Sequence, residues 1–137
     1  IFALMALGAE GVQMGTRFAL TDESSASDIF KEYCLRLNEG DTKLLLKKLA
    51  PTRLVTNSFR DRVEAAEGRG ASAEELRELL GRGRAKKGIF EGDLEEGELE
   101  IGQVAALFRR RQSVDEVMKE LLEGYRRASD KIRSAGL

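Results

Sequence analysis

A single strand-like segment near the start of the chain places the strongest constraint on its fold. Residues 1–7 form an apolar run that stops at Gly8, which predicts the last turns of a buried helix closed by a glycine. Residues 11–15 (Gly-Val-Gln-Met-Gly) then predict a short strand that ends in a glycine. This order of helix, turn and strand is typical of an α/β protein. One strand cannot form a sheet, so its partners are expected in preceding sequence from which this chain is cut off, or in another chain.

After Phe18 the sequence pattern becomes mainly helical. N-caps and apolar spacing predict three helices: one capped by Ser25 or Ser27 that ends near Gly40, one over residues 58–67, and one that begins at the Ser72–Glu75 capping box and ends at Gly81. The secondary structure of residues 42–56 is ambiguous from the sequence, because Pro51 interrupts the apolar pattern and Leu54-Val55 is compatible with extended backbone. A turn is expected over residues 92–97.

The last helix has the clearest signals. Ser113 and Glu116 form a second capping box at its start. An apolar stripe at helical spacing follows, made of Val114, Val117, Met118, Leu121, Leu122, Tyr125 and Ile132.

Composition excludes several function classes. The 137 residues carry a net charge of -1, which gives no overall attraction to nucleic acid or to an anionic membrane. The chain has no histidine, so it lacks the most common general base and metal ligand. Its single cysteine, Cys34, excludes an internal disulfide and indicates a cytoplasmic protein. Cys34 lies on an apolar helical stripe and is predicted to be an inert core residue.

Several segments, in order along the chain, resemble one family of flavoenzymes. Residues 6–18 resemble the last strand of its flavin barrel, and Glu23-Ser24 with Phe30-Lys31-Glu32 resembles its Glu-Ser … Tyr-Lys-Glu segment. Residues 51–57 resemble its Pro-x-Arg-x-x-x-Asn segment, and residues 91–97 with 101–107 resemble its Glu-Gly-Asp … Gly-Gln-x-Ala-Gly-Leu block. The family comprises FMN-dependent enoyl-acyl-carrier-protein reductase II and nitronate monooxygenase (2-nitropropane dioxygenase-like) enzymes.

The resemblance implies an α/β fold, namely the C-terminal part of a flavin-binding (β/α)8 TIM barrel with a mainly helical inserted segment. Residues 1–18 would be the end of a barrel helix and the last barrel strand, 19–105 the insertion, and 106–137 the C-terminal barrel helix. Barrel loops that follow the last strands commonly bind phosphate. By resemblance, the FMN phosphate would therefore be held by Gln13, Met14, Gly15 and Thr16, while Gly102 and Gln103 would approach the flavin or substrate pocket.

Two departures from the family pattern are visible. Ala106 stands where a glycine is common, so the local turn is expected to differ because alanine resists positive φ. The family's catalytic histidine, in a Gly-Gly-His motif, and its Gly-Gly phosphate loop would both lie upstream of Ile1. No catalytic residue and no metal ligand is therefore assigned within this chain.

The activity implied by the resemblance is an FMN-dependent oxidoreductase that uses NAD(P)H to reduce an enoyl thioester on acyl carrier protein, in fatty acid biosynthesis. The alternative is a nitronate monooxygenase that acts on a small alkyl nitronate. An interpretation of another class is an inactive fragment, or a half-barrel that needs a complementing N-terminal chain. The resemblance also leaves room for a homodimer.

Charged clusters are open to more than one interpretation. The clusters at residues 82–87 and 109–111 are basic, and solvated faces are the favoured interpretation. Docking of an acidic carrier protein stays open as an alternative, because such a partner would be attracted by these charges. The acidic residues over 91–100 lack EF-hand spacing, so a turn is predicted there and not a metal site.

Overall fold

The computed structural model describes residues 1–136 and consists of two compact units. The first unit combines residues 1–24 with 112–137, and the second comprises residues 25–111. Most of the predicted insertion, 19–105, falls in the second unit.

In the first unit, three helices are present: α1 (Phe2–Ala6), α2 (Thr16–Ala19) and α6 (Val114–Ser134). The end of α1 confirms the predicted role of Gly8, whose φ is +95°. The Gly8 N–H donates to the carbonyl of Met5 at 2.9 Å, and the Ala9 N–H donates to that of Leu4 at 3.0 Å. These two bonds form a Schellman motif, which satisfies carbonyls at the helix end.

Two predictions for this unit are wrong in detail. Helix α1 was expected to be buried, yet none of its residues is, and Leu4 is 50% exposed. Residues 11–15 were expected to form a strand, but residues 11–14 belong to no strand and Gly15 caps α2. The physical reason is the same for both. A barrel strand and its covering helix need neighbouring strands for hydrogen bonds and burial, and residues 1–136 provide none there.

The long helix α6 confirms the predicted capping box. The Ser113 hydroxyl accepts from the Glu116 N–H at 3.2 Å, and the Glu116 carboxylate accepts from the Ser113 N–H at 2.8 Å. Its N-terminus has a further acceptor, because the Glu23 carboxylate lies 2.9 Å and 3.0 Å from the Val114 N–H. Acidic groups at a helix N-terminus also complement its dipole. The apolar stripe is only partly covered: Val117 is buried, whereas Leu122 is 52% exposed.

The regular structure of the second unit is mainly helical, with one two-stranded ribbon. Its helices are α3 (Asp28–Cys34), α4 (Ser58–Gly68), α5 (Ala73–Leu80), a π-helical turn (Lys86–Phe90) and a 3-10 helix (Gln103–Leu107). Strands β1 (Thr42–Leu45) and β2 (Thr52–Val55) pair in antiparallel register, with Thr42 opposite Val55. This ribbon shows the secondary structure of residues 42–56, which the sequence pattern had left undecided. Helix α3 ends at Cys34, earlier than the predicted end near Gly40.

One core unites the ribbon with α4 and α5. It consists of the fully buried side chains Leu45, Leu46, Leu54, Phe59 and Val63, which adjoin a smaller cluster of Ala66, Ala71 and Leu76. Leu46 adopts φ of +56°, a strained region for a branched side chain. Its almost complete burial, at 1% exposure, keeps it in this conformation and ends β1 with a sharp turn.

Candidate functional site

The predicted phosphate segment, Gln13 to Thr16, lies in irregular backbone that leads into α2. Gly15 is the N-cap of α2, with φ of -89° and ψ of -69°. Its carbonyl accepts hydrogen bonds from Phe18 at 3.1 Å and Ala19 at 2.9 Å. Gln13 and Gly15 are exposed, and a Cβ placed on Gly15 would meet no atom within 4 Å. The segment therefore presents an open backbone surface.

The residue after this segment anchors it. The Arg17 guanidinium donates to the Glu120 carboxylate on α6 at 2.8 Å and also to the Gln112 side chain. Gln112 in turn donates to Glu120 at 2.6 Å. The Arg17 side chain is largely buried, at 14% exposure, whereas that of Glu120 is 53% exposed. The resemblance identified the motif but not this role of Arg17.

The other predicted pair, Gly102 and Gln103, lies in the second unit at the start of the 3-10 helix. Gly102 is its N-cap with φ of -70°, and Gln103 is exposed. Gln103 lines a cleft of about 770 Å³ between the 3-10 helix and the β-ribbon. The other lining residues are Glu39, Gly40, Thr42, Arg53, Val104, Ala106, Leu107 and Arg109. Its volume is within the usual range for small-molecule sites.

The substitution of alanine for glycine at position 106 causes no strain. Ala106 lies inside the 3-10 helix, and Leu46 is the only non-glycine residue with positive φ in the described part of the chain. The turn expected to differ is thus replaced by helical backbone that alanine favours.

In the family-like segment at residues 51–57, Arg53 lines the cleft and Asn57 connects two segments of the chain by hydrogen bonds. Arg53 lines the cleft, where its Nη1 lies 3.3 Å from the Thr42 hydroxyl. Asn57 caps α4 by accepting from the Arg60 N–H at 2.8 Å. Its amide nitrogen donates to the carbonyls of Leu94 at 3.0 Å and Gly97 at 2.8 Å. Asn57 therefore fixes the acidic turn against the start of α4.

The acidic segment at 91–97 is a tightly packed turn, as predicted. The Asp93 carboxylate accepts from the N–H groups of Glu95 at 3.1 Å and Glu96 at 2.9 Å. A Cβ on Gly97 would lie 2.3 Å from both the Asp93 carbonyl oxygen and the Gly88 Cα. Only glycine fits there, because both neighbours are backbone atoms.

The basic cluster at residues 82–87 contains a structural arginine that sequence reasoning missed. The Arg84 guanidinium lies 4.4 Å from the centre of the buried Phe59 ring. It donates to the Leu80 carbonyl at 2.8 Å and the Glu96 carbonyl at 2.6 Å. Arg84 is therefore not part of a free basic surface, whereas Arg82, Lys86 and Lys87 are exposed.

Two buried side chains, Cys34 and Glu98, have strongly raised pKa values. Burial raises the pKa of the Cys34 thiol to about 12, which agrees with the predicted inert core cysteine. Burial, with a smaller effect from Glu100, raises the pKa of Glu98 to about 7, while Arg84 opposes the shift. No sequence signal marked Glu98, because it lies within the acidic residues 91–100, for which only a turn was predicted.

Residues 1–124 match the family described as nitronate monooxygenase. A curated "probable nitronate monooxygenase" from Staphylococcus saprophyticus is 52% identical over 62 residues, which cover 43% of this chain and 17% of that protein. Another from Staphylococcus aureus (strain Newman) is 38% identical over 71 residues, covering 50% of this chain and 19% of that protein.

Among solved structures, FabK from Thermotoga maritima aligns with a TM-score of 0.85 and 32% identity. The alignment covers 96% of this chain and 42% of the FabK chain. A single-residue mutant of the same FabK aligns with a TM-score of 0.79 and 30% identity, over 96% of this chain and 39% of that one. The chain thus spans about a fifth of these curated relatives and about two fifths of FabK. None of the described helices is long and apolar enough to cross a bilayer.

Proposed function

The chain belongs to the nitronate monooxygenase family, and on that premise we propose that it is part of an FMN-dependent oxidoreductase built on a (β/α)8 barrel. The observation that carries the proposal is the extent of the likeness: the family match covers residues 1–124, and the FabK fold covers 96% of the chain. The remaining strands of the barrel would come from an N-terminal half.

The segment Gln13 to Thr16 fits the phosphate end of FMN. Gly15 is exposed and has open space where a side chain would project, so a phosphate can approach the backbone closely. Among residues 1–136, no acceptor is recorded for the N–H groups of Gln13, Met14 and Gly15, so they are available as donors. Backbone N–H groups without an internal acceptor can donate to an anionic oxygen. The Arg17–Glu120 ion pair would hold the adjacent backbone still.

Bound FMN would supply the hydride chemistry, and the chain's own residues would position the reactants. Gln13, Met14, Gly15 and Thr16 would hold the phosphate end. Gly102 and Gln103 would border the substrate pocket, since Gln103 lines the large cleft. No residue of this chain is assigned a proton-transfer role, because the chain has no histidine and the family's catalytic histidine would belong to the N-terminal half.

The reaction we favour is reduction of an enoyl thioester on acyl carrier protein by NAD(P)H, in cytoplasmic fatty acid synthesis. It rests on the extended Glu-Gly-Asp-Leu-Glu-Glu-Gly block at 91–97, which forms the packed turn described above. Nitronate monooxygenase activity is the second candidate, favoured by the names of the curated relatives. A third candidate, of another class, is an inactive fragment or a half-barrel that needs a complementing chain.

A chimera tests the proposal. Residues 1–136 replace the matched segment of Thermotoga maritima FabK, and circular dichroism first establishes that the chimera is folded. We expect it to bind FMN, to oxidise NADH with an enoyl thioester of acyl carrier protein, and to show little oxygen uptake with an alkyl nitronate. Oxygen uptake with the nitronate alone would favour the second candidate. FMN binding without either turnover would favour the third, and a folded chimera without FMN would refute the proposal.

A further inference from the structure

The cleft in the second unit contains two arginines without an acidic partner. Arg53 is half-buried on β2, and one of its nitrogens makes long contacts with Thr42, at 3.4 Å to the carbonyl and 3.3 Å to the hydroxyl. Arg109 donates to the Leu37 carbonyl at 2.8 Å. No carboxylate within residues 1–136 lies at ion-pair distance from either guanidinium. By contrast, each of four other arginines pairs with a carboxylate at 3.1 Å or less: Arg17, Arg60, Arg62 and Arg111.

The charge of the cleft is therefore positive. Its lining has Arg53 and Arg109 as cations and Glu39 as the only acidic residue among the lining residues. Each arginine uses only its Nη1 in these hydrogen bonds, so its other N–H groups have no acceptor among residues 1–136. A guanidinium donates in a fixed fork that matches two oxygens of a phosphate or a carboxylate. The Gln103 amide adds a neutral donor at the same cleft.

The 3-10 helix contributes apolar side chains to the same cleft. Leu107 is 76% exposed and Val104 is 41% exposed, and both line the cleft. Exposed apolar side chains beside unneutralised arginines suit a ligand that has both an anionic and an apolar part. The volume of about 770 Å³ exceeds what a two- or three-carbon molecule would fill.

We infer that this cleft binds an oxyanion carried on an extended apolar chain, with Arg53 and Arg109 on the anion and Val104 and Leu107 along the chain. The inference deepens the proposed function, on which it rests for the identity of the cleft as a substrate site. It names the substrate class as a chain-bearing anion and not a small nitronate. Flavin binding is proposed above for Gln13–Thr16 in the other unit, so the two sites can be tested separately.

The test is isothermal titration calorimetry on the flavin-free 137-residue chain, with four probes: octyl phosphate, inorganic phosphate, octanol and ethyl nitronate. We expect octyl phosphate to bind at least tenfold more tightly than each of the other three. Equal affinity for octanol would show a merely apolar groove, and equal affinity for inorganic phosphate would show a merely cationic one. Tighter binding of ethyl nitronate would identify a small-molecule site. Each of these three results overturns the inference.

Variants separate the two parts of the cleft. Arg109→Gln and Arg53→Gln should each weaken octyl phosphate binding by about tenfold or more, as expected for a lost charge-assisted hydrogen bond. Arg82→Gln, an exposed arginine outside the cleft lining, is the matched control and should change nothing. Leu107→Ser should weaken octyl phosphate but leave inorganic phosphate unchanged. Because Arg109 and Leu107 are exposed, both variants should fold even if Arg53→Gln does not. Unchanged octyl phosphate affinity in folded Arg109→Gln and Leu107→Ser overturns the inference.

Discussion

Glu98 should make the stability of the second unit fall as the pH rises from about 4.5 to about 7. Its side chain is 8% exposed, and no hydrogen bond to its carboxylate is recorded within residues 1–136. Burial raises its pKa from an ordinary 4.5 to about 7 in the folded chain. Below the lower value, the carboxyl is neutral whether the chain is folded or not. Between the two values only the unfolded chain releases the proton, so the unfolded state gains stability and the free energy of unfolding decreases. Above about 7 that loss is complete.

The magnitude follows from the size of the shift. A change from 4.5 to about 7 corresponds to at most about 3–4 kcal/mol, at roughly 1.4 kcal/mol for each unit. Partial hydration of the carboxylate reduces this, so we expect a net loss of about 1–2 kcal/mol between roughly pH 4.5 and pH 8.

The decisive measurement compares Glu98→Gln with the natural chain. Urea unfolding followed by circular dichroism at about pH 4.5, 6 and 8 gives the free energy of unfolding of each. The variant should be close to the natural chain at the lowest pH and more stable by about 1–2 kcal/mol at the highest. Glu78→Gln, an exposed carboxylate on α5, is the control and should show no such trend. A constant difference between Glu98→Gln and the natural chain across this range would refute the reasoning.

Three further predictions follow from the same structure. Gly97→Ala should destabilise the chain by about 2–3 kcal/mol in urea unfolding, because its Cβ would lie 2.3 Å from backbone atoms, while Gly68→Ala, which meets nothing within 4 Å, should not. Cys34 should resist alkylation by iodoacetamide in the folded chain and react in urea, because burial raises its thiol pKa to about 12; fast labelling of the native chain would contradict this. The isolated 137-residue chain should oxidise no NADH with an enoyl thioester and added FMN, because it contains no histidine; turnover in a sample shown by mass to contain only this chain would disprove it.

Local signals were sufficient where a helix depends on its own sequence. The capping boxes at Ser72 and Ser113 form as predicted, and Gly8 closes α1 with positive φ. Local signals failed where the structure depends on distant partners. Residues 11–15 have a strand pattern but no strand to pair with, so they remain irregular. The ribbon at 42–55 could not be decided beforehand, because its register depends on packing against Phe59 and Val63.

Among the predicted site residues, too, local features could be identified from the sequence, whereas contacts between distant residues could not. The motif at 13–16 was identified by resemblance, whereas the anchoring of its neighbour Arg17 to Glu120 needed the fold, since 103 residues separate them. Gln103 was expected at a pocket, but the arginines that line the same cleft come from a strand and from the segment after the 3-10 helix. Because these arginines lie far apart in the sequence, no helical or strand spacing relates them. The positive charge of the cleft could therefore not be derived from the sequence.

The last prediction concerns the flavin phosphate. In the FabK chimera, Gly15→Val should weaken FMN binding by about two to four decades, because a side chain there would displace the phosphate from the backbone donors. Two charge-assisted hydrogen bonds lost at roughly 1.5–3 kcal/mol each give that range. Gly15 has negative φ and open space around its Cβ position, so valine should not disturb the fold itself. A loss of FMN binding would therefore not result from unfolding.

Gly11→Val is the matched control for this substitution, since Gly11 is also exposed, has open space and lies outside the Gln13–Thr16 segment. FMN affinity is measured by quenching of flavin fluorescence after circular dichroism establishes that both variants are folded. Gly11→Val should bind FMN within a few-fold of the parent chimera. If both folded variants bind FMN equally well, the Gln13–Thr16 segment is a turn leading into α2 and does not hold the phosphate.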